Sequence, residues 1–226
     1  MTVSPVTDLQ TRFGIPGEVN FLEGPYGMAL VEVTNHRATA RIALQGAQLL
    51  SWAPHAREPV IWLSPAARFG QGESVRGGVP ICWPWFGPHE SDPALPAHGF
   101  ARTAPWEVIE VETLENGAHR LGFRLIRTEA SFLQWPHCSP LEIRYSVGTV
   151  LEIELRTRNE TAAPFLLGEA LHTYFSVSDV RTIRIEGSTA PNTWTRRTAA
   201  GASGRPDRSF FRERPTASIS APPRTA

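Results

Sequence analysis

An all-β fold, a single large antiparallel sandwich, is what this sequence predicts, and three observations carry the prediction. Short runs rich in Val, Ile, Leu and aromatic residues recur along the chain, punctuated by Gly and Pro, as strands joined by turns are. In the clearest run Leu151, Ile153 and Leu155 fall on one face of an extended chain and Glu152, Glu154 and Arg156 on the other. That alternation marks a strand with one face buried and one solvated. No stretch carries an amphipathic helical period, so a sheet must find its second layer in another sheet.

Taken in order, residues 1–20 read as a polar, weakly structured lead-in. From Ala29 the text turns to β-type runs: A-L-V-E-V, then T-A-R-I-A-L at 39–44, then P-V-I-W-L at 59–63. A long irregular stretch from Val75 to Trp106 interrupts them, and Pro80, Pro84, Pro88, Pro93 and Pro96 forbid a helix across it. After it come W-E-V-I-E-V-E from Trp106, L-G-F-R-L-I from Leu121, L-E-I-R-Y-S-V from Leu141 and V-L-E-I-E-L-R-T from Val150. Ser188 opens a different text, made of Arg, Ala, Pro, Ser and Thr with no period and little to bury. Such a composition cannot offset the entropy of ordering, so a β domain over 1–187 and a disordered tail over 188–226 are expected.

The irregular stretch is where a site is expected. It gathers Arg76, Arg102, His89, His98 and the rings of Trp83, Trp85, Phe86 and Phe100 in one ordered-looking loop, and rigid scaffolds carry their sites on such loops. Aromatic faces suit sugar C–H surfaces, and a guanidinium fork suits phosphate or carboxylate. The same run also reads as a buried aromatic connection whose two arginines are simply salt-bridged. Trp83 and Trp85, two apart, share a face and fit either a sugar platform or the core.

Other classes are excluded or unsupported. Formal net charge is zero over 226 residues, which gives no reason to expect nucleic acid or an anionic membrane as partner. That balance hides an asymmetry: 15 Arg against 20 acids up to Gly187, then 7 Arg against 2 acids. All 22 basic residues are arginine. No basic leader with an apolar core opens the chain, and no apolar run approaches the roughly 20 residues that span a bilayer, so a cytoplasmic protein is expected. Cys82 and Cys138 are too few for a disulfide framework and have no metal-type spacing, and no phosphate loop, zinc helix or serine elbow is present. No metal or other cofactor is expected. His36, His55, His89, His119 and His137 are scattered and read as surface residues.

The run R-G-G-V-P-I-C-W-P-W-F-G-P from Arg76, followed by H-G-F-A-R at His98–Arg102 and Trp106, resembles the glucose-6-phosphate 1-epimerases of the aldose 1-epimerase superfamily. G-E-A-L-H-T-Y-F at Gly168–Phe175 is a second match, and the resemblance runs from about Phe21 to Gly187. It implies the galactose mutarotase-like β-sandwich, here incomplete at its C-terminal end. It also implies interconversion of the α and β anomers of a hexose 6-phosphate by acid–base ring opening, without cofactor or metal, in a monomer. By the same resemblance His172 is the general acid, Arg76 and Arg102 bind substrate, and His98 faces the sugar ring. Ala97 stands where some relatives carry an amide before that histidine. Glu169 is read as a residue that orients its loop, because the family places its general base far towards the C-terminus. A carbohydrate-binding module without catalysis, and an enzyme of neutral sugars, are the alternatives on the same fold.

No carboxylate block matching the family's base follows Gly187, and the expected reason is a frameshift. Reading one frame over, the genetic code permits Leu-Asp-Gly-Ala-Glu-Tyr-Leu-Asp across Gly187–Thr195 and Thr-Asp-Arg-Ile-Tyr-Leu across Arg214–Ser220, both resembling the family's continuation. The chain as written is then expected to lack its general base and to show little activity. Sequencing the gene across the Gly187 codon tests this: third bases that spell those strings support the shift, and unrelated third bases end it.

Overall fold

The computed structural model describes residues 4–186 and 218–220, which fall into two units divided after Ser176. The first unit is the predicted sandwich. Helix α1 (Val6–Phe13) leads into β1 (Val19–Glu23), β2 (Ala29–Thr34), β3 (Ala38–Ala43) and β4 (Gln48–Pro54), an antiparallel sheet whose strands neighbour each other in chain order. Beyond the two-residue β5 (Ile81–Cys82) come β6 (Trp106–Thr113), β7 (His119–Leu125), helix α2 (Glu129–Gln134), β8 (Leu141–Val147) and β9 (Leu151–Thr157). Strands β6 to β9 form a second antiparallel sheet, again in chain order. A short strand β10 (Ala170–Leu171) pairs with β5.

The inward side chains of both sheets make one core. Val31, Val33, Ile42 and Trp52 of the first sheet share it with Trp106, Leu121, Phe123, Ile143 and Tyr145 of the second. Hydrophobic burial supplies most of the stabilisation, about 25 cal/mol for each Å² of apolar surface removed from water. Three polar bonds cross between the sheets and fix how they sit. The Tyr145 hydroxyl donates to the Ala47 carbonyl at 2.7 Å, Asn35 Nδ2 to the Val147 carbonyl at 3.0 Å, and Trp52 Nε1 to the Gly148 carbonyl at 3.3 Å. Burial holds the Tyr145 phenol far above its ordinary pKa, so it remains a donor at any working pH. A smaller apolar cluster of Met28, Leu30, Ala43, Leu50 and Val75 lies apart from the main core.

Three expectations need correction. The lead-in is structured: Val6, Leu9 and Phe13, spaced three and four apart, put α1's apolar stripe on the core, and Gln10 Oε1 accepts the Phe21 N–H at 2.7 Å. The run 59–63 is not a ladder strand, because its partners are irregular segments on either side and it makes isolated bridges, Ile61 to Phe175 and Leu63 to Gly77. His119 is not on the surface. It shares the inward parity of Leu121 and Phe123, is fully buried, and sets Nε2 2.9 Å from Glu18 Oε2 and Nδ1 3.2 Å from Thr113 Oγ1.

Strand β9 keeps its predicted alternation, but Leu151, Ile153 and Leu155 are half-exposed rather than buried, and β8 is its one ladder partner among the described residues. In the second unit, β11 (Arg184–Glu186) pairs antiparallel with β12 (Ser218–Ser220). Those three are the described part of the expected tail. The rest of it, including the hidden reading at 187–195, lies outside the described residues.

Replacing Tyr145 by Phe keeps the ring and removes the donor, leaving the Ala47 carbonyl unpaired in the core. The expected loss is about 1–3 kcal/mol, read in urea as a lower midpoint at unchanged slope. An unmoved midpoint would show that this bond contributes nothing.

Candidate active site

The site grows from two extended strips lying side by side. The first, residues 76–82, is held against β4, with the Val79 N–H donating to the Leu49 carbonyl at 2.8 Å. The second, residues 170–176, is sewn to its other side. Ladder pairing joins Ala170 to Cys82 and Leu171 to Ile81, the His172 N–H donates to the Pro80 carbonyl at 3.0 Å, and the Tyr174 N–H to the Gly78 carbonyl at 2.9 Å. The two glycines after Arg76 are what allow this. Gly77 has φ of 107° and Gly78 of 69°, and an added Cβ would stand 2.7 Å from the Leu63 Cα and 2.3 Å from the Leu49 carbonyl oxygen.

Beyond Cys82 the chain makes an irregular excursion and returns through His98. Trp83 belongs to the core, edge-on to Phe100 and Trp135, with ring centroids 5.6 and 5.9 Å away. Its Nε1 donates to Thr157 Oγ1 at 3.1 Å, and that hydroxyl donates to Glu169 Oε2 at 2.8 Å. Glu169 is thus engaged with β9 through Thr157. Trp85, half-buried, ties its Nε1 to the Pro96 carbonyl at 2.9 Å. Both indole N–H groups therefore brace the loop.

His98 is fixed by the loop it closes. Its N–H donates to the Gly87 carbonyl at 2.7 Å, and its Nδ1 accepts the Gly87 N–H at 3.2 Å. With Nδ1 accepting, the neutral ring carries its proton on Nε2 and is a donor there. His98 has φ of 67° and Gly99 of 70°, and a Cβ on Gly99 would lie 2.0 Å from the Trp83 carbonyl oxygen, so the G in H-G-F-A-R is sterically required.

These two constructions bring His98 and His172 together. Their ring centroids are 6.0 Å apart and nearly perpendicular, and the exposed His172 ring stacks on Tyr174 at 4.9 Å. Phe86 flanks His98 at 4.8 Å. Half-buried Arg102 donates to the Ala97 carbonyl at 2.7 Å, so it is anchored to the loop that carries His98. Burial pushes the Cys82 thiol up, and the positive field of Arg102 pulls it partly back. Arg76 heads the first strip with its side chain exposed. Neither Arg76 nor Arg102 is ion-paired among the described residues, so the salt-bridged reading of these arginines is not what is found. Among the described residues no three His, Cys, Asp or Glu side chains gather as a metal-ligating group.

One cavity of about 320 Å³ lies beside Tyr26, Gln45 and Thr103, and another of about 200 Å³ between Trp83, Trp135 and Leu141. The paired histidines lie outside both. Tyr174, which stacks on His172, carries no signal of its own in the sequence, although it sits within the second motif block.

A family model described as aldose 1-epimerase matches residues 29–216. Proteins of Salmonella typhimurium and Escherichia coli, both provisionally named glucose-6-phosphate 1-epimerase, are 44% and 42% identical over 158 residues. Those alignments cover 70% of this chain and 52% of each relative, so the chain spans about half the length of the curated relatives it matches. A crystal structure from Salmonella typhimurium, provisionally described as a mutarotase, superposes with a TM-score of 0.70 at 39% identity, covering 77% of this chain and 57% of that one. The shared fold and the extent of the family match agree: the chain belongs to the aldose 1-epimerase family.

Proposed function

We propose that this site takes hexose 6-phosphates and serves the exchange of their α and β anomers. The observation that carries the reading is the convergence of His98 and His172, with Arg102 anchored to the loop that carries His98 and Arg76 exposed at the head of the neighbouring strip, neither ion-paired among the described residues. Anomer exchange needs one group to protonate the ring oxygen while another removes the anomeric hydroxyl proton. The bond from C1 to the ring oxygen then breaks, and the aldehyde recloses on its other face. An exposed imidazole, able both to donate and to accept a proton, suits the acid role, which falls to His172. His98, with its proton on Nε2, donates to a sugar oxygen. Arg76 and Arg102 meet the dianionic phosphate, for which guanidinium forks are suited. The provisional names of the relatives support the 6-phosphate.

The general base is the weak point of the chain as written. Glu169, the carboxylate nearest His172 in sequence, is engaged with Thr157. A second reading follows from that engagement: the chain binds phosphosugars without turning them over.

Exchange of glucose 6-phosphate anomers, followed by NMR, separates the two readings. Binding with little acceleration over buffer is expected, and full acceleration would place a base within these residues. Arg76→Ala and Arg102→Ala should each weaken glucose 6-phosphate binding roughly ten- to a hundredfold, the worth of a charge-assisted hydrogen bond. Unchanged affinity in both variants would remove the phosphate from this site. In a version extended to the length of the relatives, His172→Asn should lower kcat roughly 100- to 10,000-fold with little change in affinity. Full activity in that variant would end the acid assignment.

A further inference from the structure

We propose that Gln48 is a positioning residue for phosphate recognition, its buried amide holding the backbone on either side of Arg76 and so aiming the guanidinium. The inference rests on the reading that Arg76 meets the 6-phosphate. Gln48 opens β4 and is 1% exposed. Its Nε2 donates to the Val75 carbonyl at 3.1 Å and to the Gly77 carbonyl at 2.7 Å. Those are the carbonyls immediately before and after Arg76. Arg76's own carbonyl accepts the Ser64 N–H at 3.1 Å, and Gly78's accepts the Tyr174 N–H at 2.9 Å. Four successive carbonyls are therefore pinned, two of them by one side chain. Gln45 extends the clamp upstream: its Nε2 donates to the Gly70 and Glu73 carbonyls at 3.0 and 2.9 Å, and its Oε1 accepts the Gly72 N–H at 2.9 Å.

A buried amide between Ala47 and Leu49 is costly unless its polar atoms are bonded, and an apolar residue would fill the same space without that demand. What the amide adds is direction. The strip at 76–78 contains two glycines in left-handed or strained backbone, which on its own is the least restricted text in the site. Fixing the Cα of an exposed arginine lowers the entropy lost when its fork closes on a phosphate, because a long side chain is then all that remains to be ordered. Two simultaneous bonds to carbonyls also settle which end of the amide faces the loop, since its oxygen cannot donate.

The test compares the full chain with Gln48→Met, which keeps length and volume but has no donor. Glucose 6-phosphate and glucose are titrated separately by calorimetry, with thermal unfolding recorded alongside. The expected result is a loss of glucose 6-phosphate affinity of roughly tenfold or more, with glucose affinity unchanged. On an Arg76→Ala background the same substitution should add nothing further, the mark of two residues acting as one unit. Equal loss for both sugars, or full additivity with Arg76→Ala, overturns the proposal and leaves Gln48 a packing residue. Should the Met variant not unfold cooperatively, Gln48→Asn replaces it. One methylene shorter, it reaches one carbonyl and should give a smaller but still phosphate-selective loss. If the unmodified chain itself shows no preference for glucose 6-phosphate over glucose, the functional reading fails and takes this one with it. If the chain keeps that preference and Gln48→Met keeps it too, the positioning role alone fails.

Discussion

The candidate site depends on one row of backbone hydrogen bonds, the seam that joins residues 78–82 to residues 170–174. Neither strip is a long strand, and neither carries enough apolar surface to hold itself in place. Together, with β4 on the far side, they satisfy each other's amides and carbonyls. His172 faces His98 because its N–H is given to Pro80, two residues before the chain turns away into the loop that His98 closes. A shift of one residue in that seam would turn every side chain of the second strip to the opposite face. The proline, the glycine pair and the short β5 ladder fix the register between them.

The surrounding sandwich is ordinary in its energetics and specific in its few polar bonds. Apolar burial between the two sheets supplies the driving force, while Tyr145, Asn35 and Trp52 choose one way of stacking them. Trp83 shows how core and site are joined. Its ring belongs to the packed interior, yet its N–H reaches through Thr157 to Glu169, three residues before His172. Packing in the core therefore bears on the backbone that presents His172. Surface ion pairs on the second sheet, such as Arg124 with Glu142 at 2.8 Å and Arg144 with Glu110 at 3.1 Å, contribute less, since exposed pairs are worth about 0–1 kcal/mol. Arg124 foremost holds the Glu142 carboxyl below its usual range.

The second sheet was legible in the sequence because one of its faces is solvated, and alternation survives wherever that is true. Strand β4 was not, since Leu49 packs in one cluster and Leu50 in another, and a strand covered on both faces loses its period. Helix α1 escaped because an apolar stripe of three residues is too short to stand out from a polar lead-in. The burial of His119 follows from parity: two residues before Leu121 and four before Phe123 on the same strand, it points inward with them. The site was legible only in part. Glycine and proline placement announced an ordered loop, but His98 and His172 lie 74 positions apart in the chain, and no spacing argument pairs them. Resemblance named both, and the seam of hydrogen bonds explains their meeting. Gln48 left no signal, because a lone glutamine before two leucines declares neither its burial nor its partners.

The most direct measurement is an NMR titration that follows the histidine ring resonances as glucose 6-phosphate is added to the chain. The expected result is that the His98 and His172 rings move together, at one saturating concentration, while the buried His119 ring stays still. Motion of neither ring under conditions where the sugar phosphate binds would contradict the site.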